Sequence, residues 1–266
     1  MNTSSSNPLL QINLFSHLDD DESIVFCKTD FIHNAFEKIA SQKRNCILIS
    51  GNSDLAVNDT TIKQAPKNLK YWFSQNANSD KIFGIPIGLE NISPCKISGH
   101  GHTWDHAIEK HQLISTIPNK PPSKLLYCNF SLDTNPGVRT EVFNFCSSMD
   151  FITVDVCSNH SQINNKKYSD YIDDILDHRM VVCPEGNGID CHRIWETLLL
   201  GRVPIVKKST AMQHFEQLPI LYLEEWSQLK NLDIIKQRYN LVKNNSIAKL
   251  NFKYWRDLTL YYKSKL

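Results

Sequence analysis

One segment of the chain limits the possible folds more than any other. Residues 180–208 read MVVCPEGNGIDCHRIWETLLLGRVPIVKK. A nearly all-apolar run opens the segment, a second one comes near its end, and apolar residues at helical spacing lie between them. A strand, a helix and a second strand in this order form a unit of parallel sheet, in which doubly covered strands read as continuous apolar runs. The segment therefore predicts an α/β fold.

Short apolar runs and helical patterns alternate through the rest of the chain. The predicted strands of the first half lie at 23–28, 45–51, 68–76 and, in the same style, 81–91. The predicted strands of the second half lie at 124–130, 151–157, 180–185, 203–208 and 219–224. Two amphipathic helices, near 225–242 and 246–263, end the chain.

A proline-rich stretch, IPNKPPSK at 117–124, separates the two halves, because prolines stop helices and favour extended chain. We therefore expect two Rossmann-like domains, residues 1–118 and 119–266, facing a central cleft. The C-terminal helix is free to pack back on the first domain. Ligands of such domains bind at the carboxyl ends of the parallel strands.

Composition excludes several classes of protein. Of the 266 residues 41% are hydrophobic and 21% charged, and the formal net charge is +1, so the excess of positive charge expected of a nucleic-acid binder is missing. The eight cysteines include no C-x-x-C pair and several lie in apolar runs, so we expect reduced, buried thiols. No apolar run approaches the roughly 18 residues of a membrane span. We expect a soluble, cytoplasmic protein, in the host cytoplasm if the source is a virus.

The loop after the apolar run at 180–184 has the chemistry of an anion site. Its glycines permit positive φ angles and close approach of the backbone to a ligand, and Asp190 is a suitable N-cap for the next helix. That helix would direct free N–H groups and the positive end of its dipole at the loop, where a phosphate group binds well. The loop residues concerned are Glu185, Gly186, Asn187, Gly188 and Asp190.

Two basic residues, His192 and Arg193, fall in the first turn of that helix, where positive charge is unfavourable for the helix alone. A bound anion would explain them. Glu196 lies one turn after His192, where its carboxylate could accept hydrogen bonds from ribose hydroxyls. The alternative is an ordinary surface ion pair between Arg193 and Glu196, and these residues alone leave both interpretations open.

A second polar loop follows the predicted strand at 124–130. In YCNFSLDTNPGVR, hydroxyls, amides and one guanidinium group follow a strand, and this mixture suits a diphosphate. The residues concerned are Asn129, Ser131, Thr134, Asn135 and Arg139. The alternative is a polar turn built on Asn-Pro-Gly. Two such loops in the same half favour a nucleotide.

These motifs resemble a known family. MVVCPEGNGIDCHRIWETLLLGRVPIVKK, with LPILYLEEW downstream, is similar to the donor-binding half of exostosin-like glycosyltransferases, and LLYCNFSLDTNPGVR to the strand and loop that open that half. Upstream, LISGNSDLAV, YWFSQN and IPIGLEN resemble the acceptor half of small microbial and viral members. The resemblance covers roughly residues 45–230 and is most specific in the run P-E-G-N-G-x-D-x-H-R-x-W-E.

The resemblance implies a GT-B fold and an enzyme that moves a sugar from a UDP-sugar, with UDP-xylose as a candidate, to a hydroxyl group of a glycan or glycoprotein. It also implies inversion at the anomeric carbon, with no cofactor and no divalent metal. Carried over by motif position, Arg139, His192 and Arg193 would face the diphosphate and Glu196 the ribose. The sugar-diphosphate loop would be lined by Glu185, Gly186, Asn187, Gly188 and Asp190.

An inverting transfer needs a general base, which we expect in the first half of the chain. Asp54 in LISGNSDLAV is the first candidate, because it follows a buried strand and a glycine turn. The alternative for Asp54 is a turn or helix-cap residue. His102, in the loop SGHGHTWDH, is the rival base.

Two other functions remain open at this point. The histidines at positions 100, 102 and 106 could hold a metal ion in a metal-dependent hydrolase, although no second cluster has matching spacing. The chain could also be a nucleotide- or glycan-binding module of GT-B type that does not catalyse transfer.

Overall fold

The chain folds into two compact units. The computed structural model describes residues 9–19, 23–92, 105–116, 120–155 and 167–266. Unit 1 comprises residues 1–108 and 247–266, and unit 2 comprises residues 109–246.

Unit 1 is built on a sheet of four parallel strands in the order β1-β2-β4-β6, and two further short strands, β3 and β5, pair with each other. The strands are β1 (Ile24–Lys28), β2 (Cys46–Gly51), β3 (Val57–Asn58), β4 (Leu69–Ser74), β5 (Ala77–Asn78) and β6 (Phe83–Gly84). Every residue of β2 is buried, as expected for a central strand covered on both faces.

Helices cover the sheet of unit 1. Its α-helices are α1 (Ile32–Ala40), α2 (Asp59–Ile62) and α9 (Phe252–Lys263), and 3-10 helices span Ile12–Leu18 and Thr29–Phe31. The α1 residue Phe36 meets Trp72 of β4 edge to face, with ring centroids 5.4 Å apart. In α9 the ring of Tyr262 lies 4.6 Å from that of Tyr71 and 4.7 Å from that of Phe83. The last helix of the chain therefore packs on the sheet of unit 1.

Unit 2 contains a sheet of five parallel strands in the order β11-β10-β9-β7-β8. The strands are β7 (Lys124–Cys128), β8 (Ile152–Val154), β9 (His178–Val182), β10 (Val203–Lys207) and β11 (Leu221–Leu223). Apolar side chains from all five strands join one buried cluster.

The helices of unit 2 connect these strands. They are α4 (Pro136–Ser147), α5 (Tyr168–Asp177), α6 (His192–Leu199), α7 (Thr210–Gln213) and α8 (Leu232–Val242), with 3-10 helices at Trp226–Lys230 and, in unit 1, Ala248–Leu250. The helix α3 (Asp105–Thr116) spans the division between the units. Gly201, with φ of +69°, follows α6 and turns the chain into β10, as glycine does after many helices.

The predicted α/β class with two parallel sheets is confirmed. The sequence predicted a division at residue 118, whereas the structure divides the chain after residue 108 and returns it to unit 1 at residue 247. Within the predicted strand at 81–91, only Phe83–Gly84 forms a strand of the sheet, and Gly88 makes an isolated antiparallel bridge with Gln11, since one proline and two glycines interrupt the segment. Among the described residues, no helix is long and apolar enough to cross a membrane. The cleft and the cytoplasmic location remain predictions.

Candidate functional site

The two polar loops predicted from the sequence leave the same edge of the unit 2 sheet. β7 and β9 are parallel neighbours, with Leu126 opposite Met180 and Cys128 opposite Val182. Each strand is followed directly by one of the loops, residues 129–135 after β7 and residues 183–191 after β9. Carboxyl ends of parallel strands are the usual ligand site in such folds.

Arg139 of α4 joins the two loops. Its Nη1 donates to the Ser131 carbonyl at 2.8 Å, and its Nε donates to the Glu185 carbonyl at 3.1 Å. Asn135 adds a second link, because its Nδ2 donates to the Gly186 carbonyl at 2.9 Å. Arg139 is only 5% exposed. The structure therefore brings together residues that lie 46 positions apart in the sequence.

Gly186 makes room for this arginine. A Cβ atom at position 186 would lie 3.1 Å from Arg139 Nη2, closer than side chains normally approach. The amide of Gly186 donates to the Gly188 carbonyl at 3.1 Å and closes a tight turn. The loop glycines do not use the positive φ that they permit: among the described residues, the glycines with positive φ are Gly88 and Gly201. Gly186 instead allows Arg139 to approach the loop closely.

The helix α6 starts without the predicted cap. Its N-cap is Cys191, in extended conformation, and the Cys191 side chain makes no capping hydrogen bond. Asp190 is buried and instead accepts a hydrogen bond from Trp195 Nε1 at 2.7 Å. The prediction of Asp190 as N-cap was wrong because a buried indole N–H, which needs a partner, takes its carboxylate.

Arg139 and Arg193 both lie at this edge, and their positive charges interact. Burial lowers the pKa of Arg139 to about 10, and the positive charge of Arg193 contributes to the lowering. Arg139 therefore stays charged at neutral pH and is repelled by its neighbour. The Nε of Arg193 is buried and has no hydrogen-bond partner within the described part of the chain. Two cations whose charges repel each other and an unused buried donor are suited to binding an anion.

Glu196 lies one turn further along α6 and is almost fully buried, at 3% exposure. Its Oε1 accepts from Lys110 Nζ at 2.7 Å, and its Oε2 accepts from Tyr171 Oη at 2.8 Å. Tyr168 Oη also donates to Oε1, at 3.3 Å. The alternative of a surface ion pair was wrong, since Glu196 is buried and its ion pair is with Lys110.

The lysine and the two tyrosines around Glu196 were missed by the sequence analysis. Lys110 lies 86 positions before Glu196. No local pattern connects residues so far apart, and no residue in α3 or α5 marks the contact in advance. Burial would raise the pKa of the Glu196 carboxyl, but the charge of Lys110, followed by that of Arg193, outweighs it and holds this pKa well below its usual range.

The remaining predicted residues of the two loops lie at the same edge with different exposure. The buried Asn129 donates from Nδ2 to Tyr127 Oη at 3.1 Å and to Asp155 Oδ2 at 3.3 Å, so its amide holds the loop in place. Ser131 Oγ donates to Asp133. Partly exposed residues are Thr134, Glu185 and His192, and Asn187 is exposed. Whether these side chains contact a donor stays a prediction.

Of the two candidate bases, the structure describes Asp54 but not His102. Asp54 is exposed in the turn that follows β2, beside Asn52 with its positive φ of 52°. His100 and His102 lie outside the described residues, and His106 lies in the first turn of α3 but its side chain is not described. Among the side chains that are described, no three histidine, cysteine or acidic groups are placed to hold a metal ion.

Comparison with known proteins gives the family. The family model of the RXYLT1 C-terminal domain matches residues 123–257, slightly more than half of the chain. No curated protein sequence matches the chain. The solved structures that it is similar to include an α1,3-fucosyltransferase, at 13% identity and a TM-score of 0.43 over 94% of this chain and 86% of that one.

Two further solved structures are similar at low identity. An α1,3-fucosyltransferase with GDP shares 14% identity and a TM-score of 0.42, over 99% of this chain and 92% of that one. The wall teichoic acid polymerase TagF shares 11% identity and a TM-score of 0.29, over 95% and 92% of the two chains. The family match covers β7 to β11, both polar loops, Arg139, Arg193 and Glu196. The chain therefore belongs to the family of the RXYLT1 C-terminal domain, a family of glycosyltransferases.

Proposed function

We propose that this protein moves a sugar from a UDP-sugar to a hydroxyl group of a glycan or glycoprotein, with inversion and without a divalent metal. The observation that carries the proposal is that Arg139 joins the two polar loops at the carboxyl edge of the unit 2 sheet, through the carbonyls of Ser131 and Glu185. Membership of a glycosyltransferase family supports sugar transfer as the reaction. In this proposal the two units form a GT-B enzyme, with the donor on unit 2 and the acceptor on unit 1.

The diphosphate of the donor would lie against the two guanidinium groups and the first turn of α6. In the reaction the bond between the anomeric carbon and the β-phosphate oxygen breaks, and UDP leaves with additional negative charge. Preorganised cations and free N–H groups stabilise charge that develops in a transition state. Arg139 is fixed by two loop carbonyls, so little reorganisation is needed when the charge appears.

The acceptor hydroxyl has to lose its proton as its oxygen attacks the anomeric carbon from the opposite face. Asp54 of unit 1 remains our first candidate for this base, because it is exposed after the central strand β2. His102 is the alternative. The resemblance to exostosin-like enzymes makes UDP-xylose the first donor to test.

A ligand screen tests the donor class. Thermal unfolding is followed with UDP, GDP, CDP and a panel of UDP-sugars, since a ligand that binds the folded state raises its melting temperature. We expect UDP and one UDP-sugar to stabilise the protein, and uridine without phosphate to stabilise it much less. A shift with GDP but not UDP would contradict the proposed donor.

A transfer assay tests the reaction. The sugar that stabilises the protein is offered with glycan acceptors, with and without a strong chelator, and the anomeric configuration of the product is read by NMR. We expect an inverted product at the same rate in chelator. Loss of activity in chelator would argue against the metal-free mechanism and in favour of a metal-dependent enzyme.

A further inference from the structure

Lys110 and Glu196 form an ion pair that is buried on both sides. The Nζ–Oε1 distance is 2.7 Å, and the two side chains are 7% and 5% exposed. The Nζ also lies 4.5 Å from the centre of the Tyr168 ring. A buried carboxylate stays charged when a cation and further donors compensate the loss of water. The pair therefore holds Glu196 ionised inside unit 2.

The donors around Glu196 leave little of its carboxylate unused. A carboxylate offers about four acceptor positions, two on each oxygen. Oε1 accepts from Lys110 and Tyr168, and Oε2 accepts from Tyr171. Within the described part of the chain, one acceptor position remains, and it is on Oε2.

Glu196 belongs to the helix that begins at the candidate donor site. Glu196 follows Arg193 by one turn of α6, and its charge is felt by Arg193. Arg193 in turn lies near Arg139, where the diphosphate would bind. A ribose joined to that diphosphate therefore has one acceptor available to it on Glu196, not two.

We propose that Lys110 is a positioning residue for the donor nucleoside, an inference that rests on the proposed function. Lys110 keeps Glu196 ionised and occupies Oε1, so that the carboxylate accepts a single ribose hydroxyl through Oε2. The lysine belongs to α3, outside the segment 123–257 that matches the family model. The recognition of ribose is thus completed by a helix that precedes that segment.

The proposal is tested by the affinities of UDP, 2′-deoxy-UDP and 3′-deoxy-UDP, measured by titration calorimetry. In the wild type we expect one deoxy analogue to bind about tenfold to a hundredfold more weakly than UDP, as for the loss of a hydrogen bond to a charged group, and the other nearly as well as UDP. We measure this discrimination as the ratio of the dissociation constants of the two deoxy analogues. In Lys110→Met the ratio should fall close to one. Lys110→Arg should retain most of it.

Matched variants separate positioning from folding. Lys110→Gln keeps a donor to Oε1 without the charge, so it should fold even if Lys110→Met does not, and should also lose discrimination. Lys124→Met removes the lysine of an exposed ion pair with Asp177 and should leave the discrimination at its wild-type value. Thermal unfolding of each variant shows that it is folded.

The outcomes distinguish the inference from the function on which it rests. Wild-type discrimination in both folded variants, Lys110→Met and Lys110→Gln, would overturn the role of Lys110, as would equal weakening of both deoxy analogues in the wild type. Wild-type discrimination in Glu196→Gln would overturn the ribose contact while leaving UDP binding intact. Failure of UDP to bind the wild type would instead contradict the proposed function itself.

Discussion

The carboxyl edges of the two parallel sheets differ in charge. At the carboxyl edge of unit 1, carboxamides bind each other: Asn52 Nδ2 donates to Asn13 Oδ1 at 2.6 Å, and Asn91 Nδ2 donates to Asn52 Oδ1 at 3.1 Å. The ring is closed by the backbone N–H of Asn13, which donates to Asn91 Oδ1 at 2.9 Å. At the carboxyl edge of unit 2, Arg139 and Arg193 repel each other.

The difference distinguishes polar side chains that stabilise the fold from polar side chains that are suited to binding a ligand. The asparagines of unit 1 are neutral and supply each other's partners, so the network is stable with nothing bound. The arginines of unit 2 carry like charges, and one buried Nε has no partner among the described residues. Repulsion between like charges is costly, and a bound anion would offset it. The same architecture thus holds a neutral asparagine network at one edge and two guanidinium groups that repel each other at the other.

The largest effect on the reaction rate is expected from Asp54, the first candidate for the general base. Asp54→Asn removes the proposed base, and loss of a general base typically slows a reaction by about two to four orders of magnitude. UDP affinity should not change, because Asp54 belongs to the other unit. Steady-state rates test the expected loss of activity, and calorimetric titration of the same sample tests the unchanged UDP affinity. Wild-type turnover, together with a loss in His102→Ala, would move the base to the histidine loop.

Breaking the buried ion pair should be the largest effect on stability. Lys110→Met leaves the Glu196 carboxylate buried without its cation, which should lower the free energy of unfolding by about 3–5 kcal/mol. The matched variant Lys124→Met removes an exposed pair, 3.2 Å from Asp177, and should cost at most about 1 kcal/mol. Urea unfolding compares the two. Equal losses would mean that burial does not distinguish these pairs.

The carboxamide network can be broken without touching the charged edge. Asn91→Ala leaves the Asn13 amide and the Asn52 oxygen without their partner, which should cost about 1–3 kcal/mol of stability. The affinity for UDP should stay at its wild-type value. A weaker affinity in Asn91→Ala would show that the neutral edge also serves the donor.

A smaller effect should appear with pH. The pKa of Glu196 is lowered in the folded protein by Lys110 against the effect of burial. The stability it contributes is therefore complete above its unfolded pKa, about 4.3, and is lost as pH falls towards the lower folded value. The stability difference between wild type and Glu196→Gln should stay constant from about pH 6 to about pH 5 and shrink from there towards about pH 3. A constant difference in urea unfolding over this range would contradict an ionised, paired Glu196.

The sequence predicted the long strands, the long helices and the two loops, but not the short elements β3, β5, α2 and α7, nor the partners of the side chains. The helix at 168–177 follows from its apolar spacing, and the strand, loop and helix at 180–199 from two different periodicities. The contact of Lys110 with Glu196 is set by tertiary packing, which leaves no periodic signal. Asp190 was assigned to the wrong partner for the same reason: local rules favour a cap, whereas Trp195 lies five residues away on the folded helix.

The contrast between the two edges is tested most directly by the affinity for UDP of Arg193→Ala. Loss of charge-assisted hydrogen bonds to a phosphate should weaken UDP binding about tenfold to a hundredfold, while the affinity for uridine stays unchanged. Arg179→Ala, at an exposed position of β9, is the control and should bind UDP as the wild type does. An unchanged UDP affinity in Arg193→Ala, measured by calorimetry on folded protein, would contradict a diphosphate site at the edge of unit 2.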